Sequence, residues 1–236
     1  MHQSLEQWAP LVNLGLPRTG TTSFACAVRA LGLNPLHNNQ YLTDQYMNGT
    51  DVQQVASWIP ISRSIWRPEP LIRWFDDALS GRVPRMQQFD ALADIPFCCS
   101  HTDLPVRVRV ARLAPKATFV CTERTALSWA DSMTRHGYAG ASYVATRYNL
   151  SLPYRNQSLL LEAKRQHAMQ ECAGVPKLRM DWPSKKLWAV LCDVVPPYGR
   201  RRCAEAMAQN WTWPRHVQAN PSSKAVSHNS NPCGFA

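Results

Sequence analysis

The sequence predicts an α/β protein, a three-layer α/β/α arrangement with a central parallel sheet, and three observations carry that expectation. Residues 11–31 read LVNLGLPRTGTTSFACAVRAL: an apolar run, a glycine-bearing turn, then apolar positions at helical spacing. Residues 117–121, ATFVC, form a continuous apolar and β-branched run of the kind buried inside a parallel sheet. Short apolar runs alternate with helical patterns through most of the chain. That alternation implies parallel strands with helices on both faces and ligands at the carboxyl ends of the strands.

The elements follow in order. After a polar lead-in, Leu11, Val12, Leu14 and Leu16 mark the first strand. The helix that starts at Thr21 sets Phe24, Val28 and Leu31 on one side and stops at Gly32. Residues 33–37 begin a second short strand. Residues 38–70 are polar at first, then rich in tryptophan and proline, and read as loop. Residues 70–79 have the spacing of an amphipathic helix, closed by Gly81, and residues 89–96 end in a short strand. Residues 105–113 read as helix, and the ATFVC strand then runs to Arg124. Ser128 with Asp131 three residues on has the form of a capping box, which places a helix from there to about residue 136. Residues 138–154 are irregular, residues 156–173 are the longest helix candidate, residues 178–182 a short strand and residues 183–194 a helix. The expected organisation is one domain over residues 10–195, an extension over 196–219 packing on it, and a disordered tail over 220–236.

Composition sets the outer limits. A chain of 236 residues with 45% apolar content and nine tryptophans is enough for one sizeable core. No apolar run reaches the length of a transmembrane helix, and the start has no basic-then-apolar secretory pattern, so the expected location is the cytoplasm. Four glycosylation sequons, at Asn48, Asn149, Asn156 and Asn210, keep open the alternative of a Golgi-lumen domain from a longer anchored chain. The net charge of +10 suits an anionic ligand. The basic residues are scattered and no nucleic-acid motif accompanies them, so no nucleic-acid partner is expected. Eight cysteines without C-x-x-C spacing argue against zinc, and without a secretory signal they are expected to be reduced. No metal is expected.

The chemistry concentrates in the first loop. A helix start offers backbone N–H groups and a positive dipole end, which is a ready anion site. Arg18 adds a cationic fork, and Thr19, Thr21, Thr22 and Ser23 add hydroxyls. Gly15 and Gly20 have the spacing of the nucleotide-triphosphatase loop G-x-x-x-x-G-K-[ST], but Thr21 stands where that loop has its lysine. A missing lysine argues against ATP or GTP hydrolysis. The run Pro17-Arg18-Thr19-Gly20-Thr21-Thr22-Ser23 instead resembles the 5′-phosphosulfate loop of sulfotransferases that use 3′-phosphoadenosine 5′-phosphosulfate (PAPS), in the branch whose loop reads G-L-P-R-T-G-T-T-S. The family's second motif is an arginine at a strand end with a serine eight residues later, and the two hold the 3′-phosphate. Arg124 closes the ATFVC strand, with Trp129 five residues and Ser132 eight residues further on. Thr125 departs from the pattern, which has aspartate there.

The resemblance implies a P-loop sulfotransferase-like fold and an enzyme that moves a sulfuryl group from PAPS to a hydroxyl or amine of an acceptor such as a carbohydrate or small molecule. It implies Pro17, Arg18, Thr19, Gly20, Thr21, Thr22 and Ser23 for the phosphosulfate, and Arg124 and Ser132 for the 3′-phosphate. It implies that Arg18 acts in catalysis and that the base is Asp94, in an Asp-Ile-Pro triplet, or His101. His37 is a more distant candidate, and His167, His216 and His228 have no supporting context. Two alternatives stand beside this reading: a nucleotide kinase, and a non-catalytic nucleotide-binding module on the same fold.

Overall fold

The computed structural model describes residues 7–16, 18–37, 89–93, 105–136, 157–214 and 233. Five parallel strands form its sheet: β1 (Leu11–Asn13), β2 (Pro35–His37), β3 (Ala91–Ala93), β4 (Thr118–Glu123) and β5 (Lys177–Arg179), in the order β2-β3-β1-β4-β5. The helices are α1 (Thr21–Ala30), α2 (Val106–Leu113), α3 (Ala126–His136), α4 (Gln157–Gln170), α5 (Ser184–Val194) and α6 (Arg200–Ala208). The helix expected over residues 70–79 lies outside the described residues, as does the irregular stretch 138–154.

Strand alternation divides the core between the two faces of the sheet. Leu11, Ala91, Ala93, Val120 and Leu178 turn toward α1, α5 and α6, where they meet Phe24, Val28, Leu187, Trp188, Leu191 and Ala206 in one cluster. The alternate residues Val12, Leu92 and Cys121 are buried as completely, so both faces are covered. This is why β3 reads as an apolar run without a polar face.

β1 is the middle strand. Leu11 pairs with Ala91 on one side and Thr118 on the other, and Leu14 N–H donates to the Val120 carbonyl at 2.8 Å. The end of β1 and the end of β4 therefore lie side by side on one edge of the sheet. Beyond α5 the chain stays on the domain: Trp213 is buried in the core cluster, and its ring meets that of Trp188 at 5.0 Å between centroids.

Two local expectations are corrected. The third helix does not start at a Ser128/Asp131 box: it begins at Ala126, and Ser128 N–H donates to Thr125 Oγ1 at 3.4 Å, so Thr125 caps it. The six cysteines among the described residues are not reduced. Cys26–Cys233, Cys121–Cys172 and Cys192–Cys203 form disulfides, with Cα separations of 5.3, 5.9 and 5.6 Å. Within the tail expected to be disordered, Cys233 is thus joined to α1.

Cys121–Cys172 joins β4 to the turn after α4 across a sequence separation of 51. Closing a loop of that length constrains the unfolded chain by about 4 kcal/mol. Alkylation without reductant, followed by peptide mass mapping, is expected to leave these six cysteines unlabelled. Labelling of all six would remove the cross-links from the account.

Candidate functional site

The strand-to-helix loop is built around a buried polar residue. Asn13, the last residue of β1, is fully buried, and its Oδ1 accepts from Gly15 N–H at 2.9 Å and Thr122 N–H at 3.1 Å. Its Nδ2 lies 3.1 Å from Thr122 Oγ1. One side chain thus ties the start of the loop to the end of β4. Thr19 adds a second tie, because its hydroxyl donates to the Leu16 carbonyl and lies 2.8 Å from Thr122 Oγ1.

Two glycines are required at this point. A Cβ on Gly15 would overlap the Thr122 side chain and come within 2.7 Å of the Thr122 carbonyl oxygen. Gly20 has φ 109° and serves as N-cap of α1, and a Cβ there would run into the Met180 side chain. Met180 follows β5, so the late strand reaches back to pack against the loop. Arg18 is held in the left-handed region at φ 69°, a conformation that a non-glycine residue adopts at a cost of roughly 1–3 kcal/mol. Phe24 N–H donates to the Gly20 carbonyl at 2.9 Å, the first turn of α1. The amides of that turn are directed out of the helix start, where the dipole is positive.

Arg18 and Ser132 come from the two halves of the predicted site, 114 residues apart in sequence. Arg18 Nε donates to Ser132 Oγ at 3.3 Å, and Ser132 is buried. Arg124 directly follows β4 and is half-buried. Trp129, between Arg124 and Ser132, is fully buried on α3.

Of the residues predicted for the site, Arg18 and Ser132 touch. Gly20, Thr21, Thr22 and Ser23 form the start of α1, and Arg124 stands at the neighbouring strand end. Thr19 is placed differently from the expectation: its hydroxyl and its N–H are both bonded within the loop, so it braces the loop. Pro17, Asp94 and His101 lie outside the described residues, and so does the side chain of His37.

Sequence reasoning missed the second layer. Asn13 carried a signal, a lone polar residue inside an apolar strand. His167 also carried one, on the Leu160–Ala163–His167 stripe of α4 that the structure buries. His167 Nε2 lies 2.7 Å from the Leu14 carbonyl oxygen, which fixes α4 against the start of the loop. Glu171 is almost fully buried and accepts from Val106 N–H at 2.9 Å and Arg107 N–H at 3.3 Å, so it caps α2 from the end of α4.

These features define an α/β protein with a glycine-dependent strand-to-helix loop at the carboxyl end of its central strand. A family model described as a sulfotransferase domain matches residues 11–186, and the chain belongs to that family. No curated protein matches the chain. The matched span runs from β1 into α5 and contains both arginine positions discussed above.

Proposed function

We propose that this sulfotransferase domain uses PAPS as its donor and transfers the sulfuryl group to a hydroxyl or amine. The contact between Arg18 and Ser132 carries the proposal, because it joins the two sequence motifs into one site. The α1 amides with Thr21 and Thr22 hold the 5′-phosphosulfate, while Arg124 and Ser132 hold the 3′-phosphate. The acceptor oxygen or nitrogen bonds to sulfur as the bond from sulfur to the phosphate oxygen breaks, releasing 3′-phosphoadenosine 5′-phosphate. Arg18 neutralises the charge that grows on that phosphate. Asp94 or His101 takes the acceptor's proton. Donor and product are nucleotides bound for one turnover, so no resident cofactor and no metal enter the reading.

Thr125 is compatible with this reading although it departs from the family pattern. It caps α3, which carries Ser132, and so serves the helix start where the family pattern has aspartate. The three disulfides favour an oxidising compartment such as the Golgi lumen over the cytoplasm. Among the described residues no helix is long and apolar enough to cross a membrane. Residues 10–195 are the proposed catalytic unit, and beyond them Trp213 packs on its core.

Incubation with ³⁵S-labelled PAPS and a cell extract is expected to label a carbohydrate or small-molecule acceptor. Absence of labelling across broad acceptor panels, with the nucleotide still bound, would leave the non-catalytic module as the correct reading.

A further inference from the structure

We infer that Lys164 of α4 is a further ligand for the 3′-phosphate of the donor nucleotide, a second cation beside Arg124 and the Ser132 hydroxyl; this rests on the function proposed above. The Lys164 ammonium stands over the Trp129 indole, 5.3 Å from the ring centroid. Trp129 and Ser132 are three residues apart on α3, which places them on one face of that helix. Lys164 therefore approaches the same face that carries the proposed phosphate hydroxyl.

The helix that carries it is held in place. His167, one turn on, meets the Leu14 carbonyl oxygen, and the turn after α4 is tied to β4 by Cys121–Cys172 and to the start of α2 by Glu171. Lys164 is thus presented from a fixed scaffold that touches both halves of the site.

Its electrostatics are those of a cation in need of an anion. Burial pushes the Lys164 ammonium below the usual lysine range; Glu123 opposes that shift and Lys177 adds to it. The Glu123 carboxylate is already paired with Lys177 Nζ at 3.0 Å. Among the described residues no carboxylate forms an ion pair with Lys164. The Trp129 ring returns only part of the desolvation cost of a half-buried ammonium. A phosphate dianion at the end of β4 would supply the direct ion pair that the described residues do not.

The test compares two nucleotides that differ only in the 3′-phosphate. Calorimetric titration of the full chain with 3′-phosphoadenosine 5′-phosphate and with adenosine 5′-phosphate is run on wild type, Lys164→Met and Lys164→Arg. Methionine keeps an apolar stem on the indole without the charge. In Lys164→Met the bisphosphate is expected to bind about ten- to hundredfold more weakly, while the monophosphate stays within about twofold. Lys164→Arg is expected to keep most of the bisphosphate affinity. If both nucleotides weaken equally in Lys164→Met, or neither does, Lys164 only packs on Trp129 and the inference is wrong. Wild type that fails to distinguish the two nucleotides would instead overturn the proposed donor, and the inference with it.

Discussion

Arg18→Ala is expected to lower the rate of sulfuryl transfer by about 10²–10³-fold, the effect of removing one preorganised donor aimed at developing charge. The expectation rests on how the guanidinium is held. The backbone at Arg18 is fixed in the left-handed region by flanking ties, from Asn13 to Gly15 and from Thr19 to Leu16 and Thr122. No reorganisation is therefore needed when charge grows on the leaving phosphate. Alanine has the same backbone preferences as arginine at this φ, so the variant is expected to fold, at a cost of about 0.5–1.5 kcal/mol for the lost bond to Ser132. Thermal melting beside the labelled-transfer assay separates the two effects. Arg18→Lys is expected to recover only part of the rate, because a point charge replaces a planar fork.

Asn13→Ala is expected to be the most destabilising single change at the site. It leaves the Gly15 and Thr122 amides without their acceptor in a region closed to water. Each such group costs about 1–3 kcal/mol, so a loss of roughly 2–6 kcal/mol is expected in urea unfolding. The loop then loses its hold on β4, and nucleotide binding is expected to fall with it. Asn13→Asp keeps an acceptor but loses the donor to Thr122 Oγ1 and adds a buried negative charge beside the proposed anion site, so it is expected to rescue neither property. A variant with wild-type stability would show that the Asn13 bonds are replaceable.

The sheet and most of its helices are legible in the sequence because β1, β3 and β4 lie in short apolar runs, while β5, Lys-Leu-Arg, offers a single buried apolar residue. Gly20 and Gly32 bracket α1, and the ATFVC run lies within β4. The family resemblance was legible for the same reason: a loop that must wrap an anion tolerates few residue types. What stayed hidden depends on contacts between distant positions. Ser128 and Asp131 have the spacing of a capping box, yet Thr125 wins as cap because the chain leaves β4 there and turns directly into α3. The disulfides join residues separated by 207, 51 and 11 positions, and no spacing rule identifies such pairs. The contacts of His167 and Lys164 arise only because α4 lies against both the first loop and α3. The choice between Asp94 and His101 as base rests on sequence alone, since neither belongs to the described residues.

The claim at the centre of the account is that two neighbouring strand ends grip one nucleotide through both of its phosphates. Titration of 3′-phosphoadenosine 5′-phosphate into wild type, Arg18→Ala and Arg124→Ala tests it most directly. One nucleotide is expected to bind per chain, with affinity reduced at least about a hundredfold in each variant. Unchanged affinity in both variants would contradict it.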